Sequence, residues 1–386
     1  MLNPWIRFSL GCFLVGGCTT PQPVSLDAGA EDAGLARDSG SADGGIADGG
    51  ADAGSGLDGG IGSDSGVTDG GPVVADAGQD GGISDGGLDA GTDAGFDAGF
   101  DAGFDAGSDA GFDAGPCVLG PWQTPTNVSE LNSSASEGTP TLSQDQLSIY
   151  FSSSRGANPD IYSASRASRA DTFSGVTLVA AVSDSTNWET AVSLSPNELE
   201  LYVVTGPGPP GIRRIWRATR PSRAGGWSAL VQVTAFDLGG GGEHTGSLSV
   251  DGLAAYFSNF VGAVATIYQA TRPSLGSAFG APSALTGAVN DGSALDFYPA
   301  IFDDGLAIAF TSDRAGSSGS DLYFATRASR SSAFGTPTRS AALSGSATDA
   351  DEQCWVSNDG LDIYFTSNRS GSMGGPDIYR SSRSCL

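Results

Sequence analysis

The sequence predicts an all-β domain, a five-bladed β-propeller of four-stranded antiparallel blades, closed by its own N-terminal strand and preceded by a disordered tether. The first observation behind this prediction is a unit that occurs five times, with steps of 52 to 55 residues between equivalent positions. A period near 50 with several short strands is typical of propeller blades, because one unit cannot bury its apolar face alone. Phe151 lies at the end of strand two in the first repeat, and its counterparts in the other repeats are Val203, Phe257, Phe310 and Phe365.

The strands of each repeat are predicted from the alternation of apolar and polar residues and from the turns between them. In the first repeat, strand one holds 140–143, strand two 147–152 and strand three 161–166. Strand four is expected to begin at an aromatic residue seven positions after the arginine that closes strand three, as at Trp227. Asp-Gly is a strong hairpin signal, and the turns between strands one and two are predicted at Asp145-Gln146, Asn197-Glu198, Asp251-Gly252, Asp304-Gly305 and Asp359-Gly360.

The two ends of the domain provide the second observation. The fifth repeat lacks its fourth strand, and residues 120–128, around Trp122, match the missing strand. Pairing the two ends closes the ring and removes exposed sheet edges. Cys117 and Cys385 fall on the same position of the repeat, so we predict a disulfide between them, with two free surface thiols as the alternative. Cys354 lies on an inner strand and is expected to be a small buried hydrophobic residue.

Residues 1–17 are predicted to be a signal peptide, with one basic residue, Arg7, before a short apolar run. The run ends in Leu14-Val-Gly-Gly-Cys18, which resembles a bacterial lipobox and implies lipidation of Cys18. An ordinary cleaved signal is the alternative. Because residue 19 is threonine rather than aspartate, the resemblance to Gram-negative sorting implies an outer-membrane lipoprotein, held at the membrane by its acyl chains alone.

Residues 18–116 are predicted to be a disordered linker rich in Asp, Ala and Gly. This segment holds 20 acidic residues and one arginine, and therefore most of the net charge of −26 of the chain. Such a composition offers too little apolar surface to offset the entropy of ordering. Calcium binding by the aspartates is the alternative, although their spacing drifts where a β-roll needs a nine-residue repeat.

The repeats resemble the WD40-like units of the TolB β-propeller family. The resemblance is carried by 249–258, which read SVDGLAAYFS, and by 359–379, with DGLDIYFTSNRSG followed by PDIY, and it covers nearly all of 137–386. It implies a propeller that serves as a protein-interaction platform or, less commonly, as part of an enzyme. The second repeat departs most, because Gly206-Pro-Gly-Pro-Pro-Gly211 replaces the Ser-x-Arg-x-Gly loop.

An acidic residue recurs at one position of strand one, 14 residues before Phe151 or its counterpart in strand two. These candidate axial binding residues are Glu137, Glu189, Glu243, Asp296 and Asp351, together with His244 beside the third acid. Five carboxylates around one axis would suit a cation or a basic group, whereas carboxylates that accept backbone N–H bonds would be structural. His244, the only histidine of the chain, is weighed as a hydrogen-bonded surface residue against a catalyst.

The loops between strands two and three are predicted to rise on the same face as these acids. The candidate residues of this face are Arg155, Asp160, Arg314, Asp321, Arg369 and Asp377. Each arginine and aspartate are expected to pair within one loop and so to order it, and ligand contact is the alternative.

No catalytic set, metal site or cofactor motif is found in the sequence. One histidine cannot build a His-rich zinc site, and the chain has no nucleophile elbow or phosphate loop. Its negative charge argues against nucleic acid. We therefore expect a monomeric, tethered domain that binds an envelope protein or glycan, rather than an enzyme. A surface glycoside hydrolase or lectin-like module is the alternative, and a purely structural envelope component is a third possibility.

Overall fold

The computed structural model describes residues 117–208, 211–317 and 319–386, and they form the five-bladed propeller that the repeats predict. The chain enters through β1 (Thr126–Asn127). Blade 1 contains β2 (Glu137–Leu142), β3 (Ser148–Ser153), β4 (Asp160–Ser165) and β5 (Ser174–Leu178). Blade 2 contains β6 (Asn187–Leu194), β7 (Glu200–Pro207), β8 (Arg214–Thr219) and β9 (Val231–Gln232).

The remaining blades repeat this order. Blade 3 contains β10 (Glu243–Leu248), β11 (Ala254–Val261), β12 (Val264–Thr271) and β13 (Ser283–Ala284). Blade 4 contains β14 (Asp296–Phe302), β15 (Ala307–Ser312), β16 (Asp321–Thr326) and β17 (Thr338–Arg339). Blade 5 contains β18 (Asp351–Val356), β19 (Asp362–Ser367) and β20 (Asp377–Ser382). Two single 3-10 turns, Thr234–Phe236 and Asp303–Gly305, complete the regular structure of the described residues.

The ring is closed as the end residues predict. Strand β1 pairs antiparallel with β20, with Thr126 opposite Arg380, and supplies the outer strand of blade 5. A disulfide joins Cys117 to Cys385 with a Cα–Cα distance of 5.1 Å, and it links positions 268 residues apart. The N-terminal and C-terminal segments of the domain are therefore held in one blade.

The arginines that close strand three have a shared role in the structure. Each guanidinium lies 4.1 to 4.6 Å from the centre of an aromatic ring, and its Nε donates to a carbonyl in the hairpin turn of its own blade. The five pairs are Arg166 with Phe173, Arg220 with Trp227, Arg272 with Phe279, Arg327 with Phe334, and Arg383 with Trp122. The contact of Arg383 with Trp122 shows that the closing segment occupies the same place as its counterparts.

The prediction that strand four begins at this aromatic residue is wrong for most blades. The aromatic ring packs beneath the guanidinium, and in blades 2 to 5 the outer strand forms four residues later over two residues only. The predicted hairpin turns are confirmed. Gly252 and Gly360 have φ values of 68° and 70°, in the left-handed region that glycine adopts at no steric cost.

We call the face at which the inner strands begin the loop face and the opposite one the turn face. The loop face carries the connections between strands two and three, because Ser153, at the end of β3, pairs with both Glu137 and Asp160. The turn face carries the hairpin turns and the disulfide. Apolar side chains fill the space between neighbouring blades, where Phe151, Phe257 and Phe310 are at most 1% exposed.

Candidate binding site at the loop face

The five repeated acids lie together around the axis near the loop face, one on the inner strand of each blade. Their exposed fractions are 1% or less, so they lie within the blades and do not line an open channel. Each is enclosed by the residues that precede its strand and by the residue opposite it at the end of strand two. These acids are Glu137, Glu189, Glu243, Asp296 and Asp351.

In blades 1, 4 and 5 the buried acid is paired with an arginine 18 positions later in the chain. Nη2 of Arg155 lies 3.1 Å from a carboxylate oxygen of Glu137. The corresponding distance is 2.5 Å both from Arg314 to Asp296 and from Arg369 to Asp351. We call Arg155, Arg314 and Arg369 the loop arginines. Each also donates to a buried backbone carbonyl before the inner strand. The guanidinium lies 5.0 to 5.4 Å from two aromatic rings of its own blade.

The expected pairing of each loop arginine with the aspartate of its own loop is therefore wrong. The arginine bonds to the serine that ends strand two and turns back across the sheet to the buried acid. Asp321 pairs instead with Arg339 at 2.7 Å, and Asp377 accepts a hydrogen bond from the Asn127 amide at 2.7 Å. These loop residues order the face, and their side chains are engaged in doing so.

Blade 2 keeps the acid but has lost the arginine, since Pro207 stands 18 positions after Glu189. The Glu189 carboxylate accepts from the Thr205 hydroxyl and, at 3.4 Å, from the backbone N–H of Asp184. Burial raises the pKa of Glu189 to about 7. Burial also raises the pKa of Asp160, which contacts Glu189 from the neighbouring blade. Glu189 is therefore close to half-protonated at neutral pH.

Blade 3 has lost both the arginine and the hydroxyl that accompany the acid elsewhere. Asn259 stands opposite Glu243, and Val261 holds the place of the arginine. The ring of Phe236 stacks on Phe257 at 4.6 Å, on the ring that a loop arginine would cover. Among the described residues neither Glu243 oxygen has a hydrogen-bond partner, and Nη1 of Arg214 lies 3.5 Å from Oε1. Burial raises the pKa of Glu243 to about 7 as well.

His244 follows Glu243 on β10 and lies half-buried near the axis. Its Nδ1 is 2.9 Å from the Tyr298 hydroxyl, and its ring centroid is 4.6 Å from that of Phe260. Burial, with the positive charge of Arg213 as the second cause, lowers the pKa of His244 to about 3. His244 is thus a neutral, hydrogen-bonded residue at physiological pH.

The axis itself holds two small clefts between the inner strands. Their empty volumes, which include space open to solvent, are about 440 and 310 Å³. Polar side chains such as Gln144, Ser193 and Asn358 line the first, and Thr139, Thr245 and Gln353 the second. No acid is among the described residues that line either cleft, so the repeated carboxylates do not open into them.

The remaining predicted site residues fall into two groups. Cys18 and the linker lie outside the described residues. Cys354 is a buried free thiol, as expected of a small core residue, and burial raises its pKa to about 12.

Within 117–208, 211–317 and 319–386 no group of three or more His, Cys, Asp or Glu side chains is placed to hold a metal ion. The same ranges contain no helix with the length and apolar character that a membrane span requires.

Three residues that sequence reasoning did not select are prominent on the loop face: Ile212, Arg213 and Val261. They are departures from the repeat, so a consensus pattern cannot find them. The signal that would have found them is the constant spacing of 18 residues from acid to arginine, which fails only in blades 2 and 3. The loops that break this spacing contain Ile212, Arg213 and Val261.

Comparison with known proteins finds similarity in fold. No protein-family model and no curated protein sequence matches the chain. Among solved structures, the chain resembles TolB from Acinetobacter baumannii, with 17% identity and a TM-score of 0.42 over 65% of this chain. It spans only 55% of the length of that TolB.

Other solved structures are similar at the same level. The putative TolB from Agrobacterium tumefaciens has 17% identity and a TM-score of 0.41, over 68% of this chain and 92% of its own. A thermostable family-43 glycoside hydrolase has 13% identity and a TM-score of 0.44, over 67% and 92%. At such identities, what the chain shares with these proteins is the fold alone.

Proposed function

We propose that this chain is a lipid-anchored protein of the bacterial cell envelope whose propeller binds a partner, a protein or a glycan, on its loop face. The observation that carries the proposal is a chemical difference within that face. Blades 1, 4 and 5 present loops held by the loop arginines. Over blades 2 and 3, where this arginine is missing, the same face presents several exposed aliphatic side chains, whereas the loop of blade 5 exposes one apolar side chain, Met373.

We call this exposed set the apolar rim, and it consists of Ile212, Leu238 and Val261. Their exposed fractions are 49%, 37% and 61%. The loop 239–242, four consecutive glycines, connects them, because a Cβ on Gly240 would lie 3.1 Å from Val261 and one on Gly242 would lie 3.9 Å from Ile212. Contiguous apolar surface with a polar border is typical of interaction sites.

The burial of the repeated acids favours binding over hydrolysis. Canonical glycoside hydrolases place two carboxyl groups on either side of the scissile bond. Here every repeated acid is at most 1% exposed, and three are neutralised by the loop arginines. The alternative of a glycoside hydrolase that uses the axial acids is therefore disfavoured.

The binding proposal is tested with full-length protein immobilised and exposed to envelope extract. We expect Val261→Asp to abolish capture of the partner, because an added charge on the rim must be desolvated on binding. Leu275→Asp is the matched control, since Leu275 is an exposed aliphatic residue, 46% accessible, beside Gly252 on the turn face. Equal capture by the two variants would contradict binding at the rim.

The anchor is tested separately by fractionation. Cys18→Ser removes the thiol that acylation requires, and we expect the protein to move from the membrane fraction to the soluble fraction. Membrane retention of this variant would rule out the lipid anchor without affecting the binding proposal.

A further inference from the structure

Arg213 is the exceptional arginine of the propeller. Every other arginine of the described residues forms an ion pair with a carboxylate or donates to a backbone carbonyl. Within the part of the chain that the structure describes, the side chain of Arg213 has no hydrogen bond, ion pair or ring contact. A half-buried guanidinium without an acceptor has lost part of its hydration and has gained no partner in return.

The position of Arg213 places this unpaired cation beside the apolar rim. It follows Ile212 directly and precedes β8 at the loop face. Its carbonyl accepts from the backbone N–H of Glu243 at 3.4 Å, and its Cα and Cγ lie beside Gly206. Because glycine stands at 206 and 242, no side chain from these two positions covers it.

Among the described residues, the groups that sense the charge of Arg213 are hydrogen-bonding side chains and not carboxylates. His244 and Tyr298, which bond to each other at 2.9 Å, both feel the charge of Arg213. Glu243, the nearest repeated acid in the chain, is already beside Arg214 at 3.5 Å. Glu352 acts on Tyr298 and has a further interaction of its own. A ligand that supplies a hydrogen-bond acceptor would give the Arg213 guanidinium the partner that it lacks among the described residues.

We propose that Arg213 binds a carboxylate of a partner protein, and that apolar residues on either side of this carboxylate pack on the rim formed by Ile212, Leu238 and Val261. The inference rests on the proposed function and names the chemistry of its partner. A guanidinium matches a carboxylate with two parallel hydrogen bonds, and a low-dielectric border strengthens such a pair. Aliphatic side chains around it suit a peptide better than a sugar, whose hydroxyl groups they would leave without partners.

The single histidine makes the site directly observable. Full-length protein carrying isotope-labelled histidine gives one set of ring signals, from His244. This protein is titrated with the peptide Ac-Leu-Asp-Leu-NH2 and with its neutral counterpart Ac-Leu-Asn-Leu-NH2. We expect a saturable shift of the His244 signal and at least about tenfold tighter binding of the aspartate peptide, the strength of one charge-assisted pair.

Two variants separate the site from the fold. Arg213→Gln is expected to remove the preference for the aspartate peptide while the thermal unfolding curve stays unchanged, because the side chain makes no hydrogen bond or ion pair within the described residues. Arg223→Gln is the matched control, because Arg223 is an exposed arginine, 59% accessible, paired with Asp145 and Glu198. It is expected to keep the preference in full.

Several outcomes would overturn the inference. They are equal binding of the two peptides, no binding of either, or an undiminished preference in Arg213→Gln. Saturable binding of D-glucuronate without binding of the aspartate peptide would overturn the choice of a protein partner. If Val261→Asp abolishes capture from envelope extract and Arg213→Gln does not, the carboxylate site is wrong and the proposed function stands. If neither variant changes capture, both fail.

Discussion

The propeller contains two classes of blade, blades 1, 4 and 5 and blades 2 and 3, which differ in how they accommodate a buried carboxyl group. All five bury one carboxyl group at the start of the inner strand. Three of them neutralise it with a loop arginine, which also fastens the loop above it. The other two keep the acid without this arginine, and burial raises the pKa of Glu189 and Glu243 to about 7. Burial raises the pKa of Asp296 and Asp351 as well, although an arginine faces each of them. The loops of blades 2 and 3 carry proline, glycine and aliphatic residues. Since a repeat can lose its arginine and keep its fold, the loops of blades 2 and 3 are free to serve another purpose.

The largest expected effect comes from breaking an arginine pair. Arg314→Met leaves Asp296 buried beside Ser312 without its cation, and removing one partner of a buried pair costs about 3–5 kcal/mol. We expect the unfolding temperature to fall by roughly 10 °C for a domain of this size. Differential scanning calorimetry measures the unfolding temperature, and a fall of only about a degree or two would show that the Arg314–Asp296 pair contributes little to stability.

The pH dependence of stability sharpens the comparison. Glu189 and Glu243 have folded pKa values of about 7 against an ordinary value of 4.5, so the folded state binds more protons than the unfolded state between these values. Their contribution to stability is complete below pH 4.5 and is lost as the pH rises through 7, on the order of 3 kcal/mol for each.

The test compares the parent with the double variant Glu189→Gln, Glu243→Gln at pH 5.5 and pH 8. We expect the double variant to lose less stability between these two values. The comparison with the parent is needed because His244, whose pKa is lowered to about 3, acts in the opposite sense below pH 6.5. Identical pH profiles would contradict the raised pKa values.

Neutralising one acid in each class of blade is expected to change the stability less than Arg314→Met does, and in different directions in the two classes. Asp296→Asn removes the anion that Arg314 needs and is expected to destabilise the domain by about 2 kcal/mol at pH 8. Glu189→Gln removes an unfavourable buried charge, so it is expected to be neutral or stabilising there. Urea unfolding of the two variants measures the difference. A similar loss in both would show that the two classes of blade are equivalent.

The smallest effect is expected at Arg214. Its guanidinium is 3.5 Å from Glu243 and 3.1 Å from the half-exposed Asp237, a looser arrangement than that of the loop arginines. Arg214→Gln should therefore cost about 1 kcal/mol or less. A loss as large as that of Arg314→Met would show that Arg214 replaces the missing arginine of blade 3 completely.

The sequence predicts the architecture well because repetition reports it several times over. The blade count, the hairpin turns, the closure near Trp122 and the pairing of Cys117 with Cys385 all follow from positions that recur at one period. The side-chain pairing was harder to predict. Arg155 and Asp160 are close in sequence, yet Arg155 reaches Glu137, because antiparallel pairing brings the end of strand two beside the start of strand one.

The broken spacing of 18 residues marks the loops that carry Ile212, Arg213 and Val261, but it does not predict the role of these residues. Their role depends on which groups surround them, and only coordinates show that Arg213 lacks a carboxylate partner among the described residues while its neighbour Arg214 forms ion pairs with two carboxylates. A repeat pattern describes what the blades share. A site that arises where the pattern fails needs the three-dimensional surroundings of each departing residue.

The disulfide has a mechanical consequence. Strand β1 is two residues long, and such a strand peels away easily when its end is pulled across the hydrogen bonds. The Cys117–Cys385 bond stands ahead of it, so a tension arriving from the preceding chain passes into the end of β20 before it reaches β1. A domain built in this way can bear load at its entry point while the ring keeps its shape.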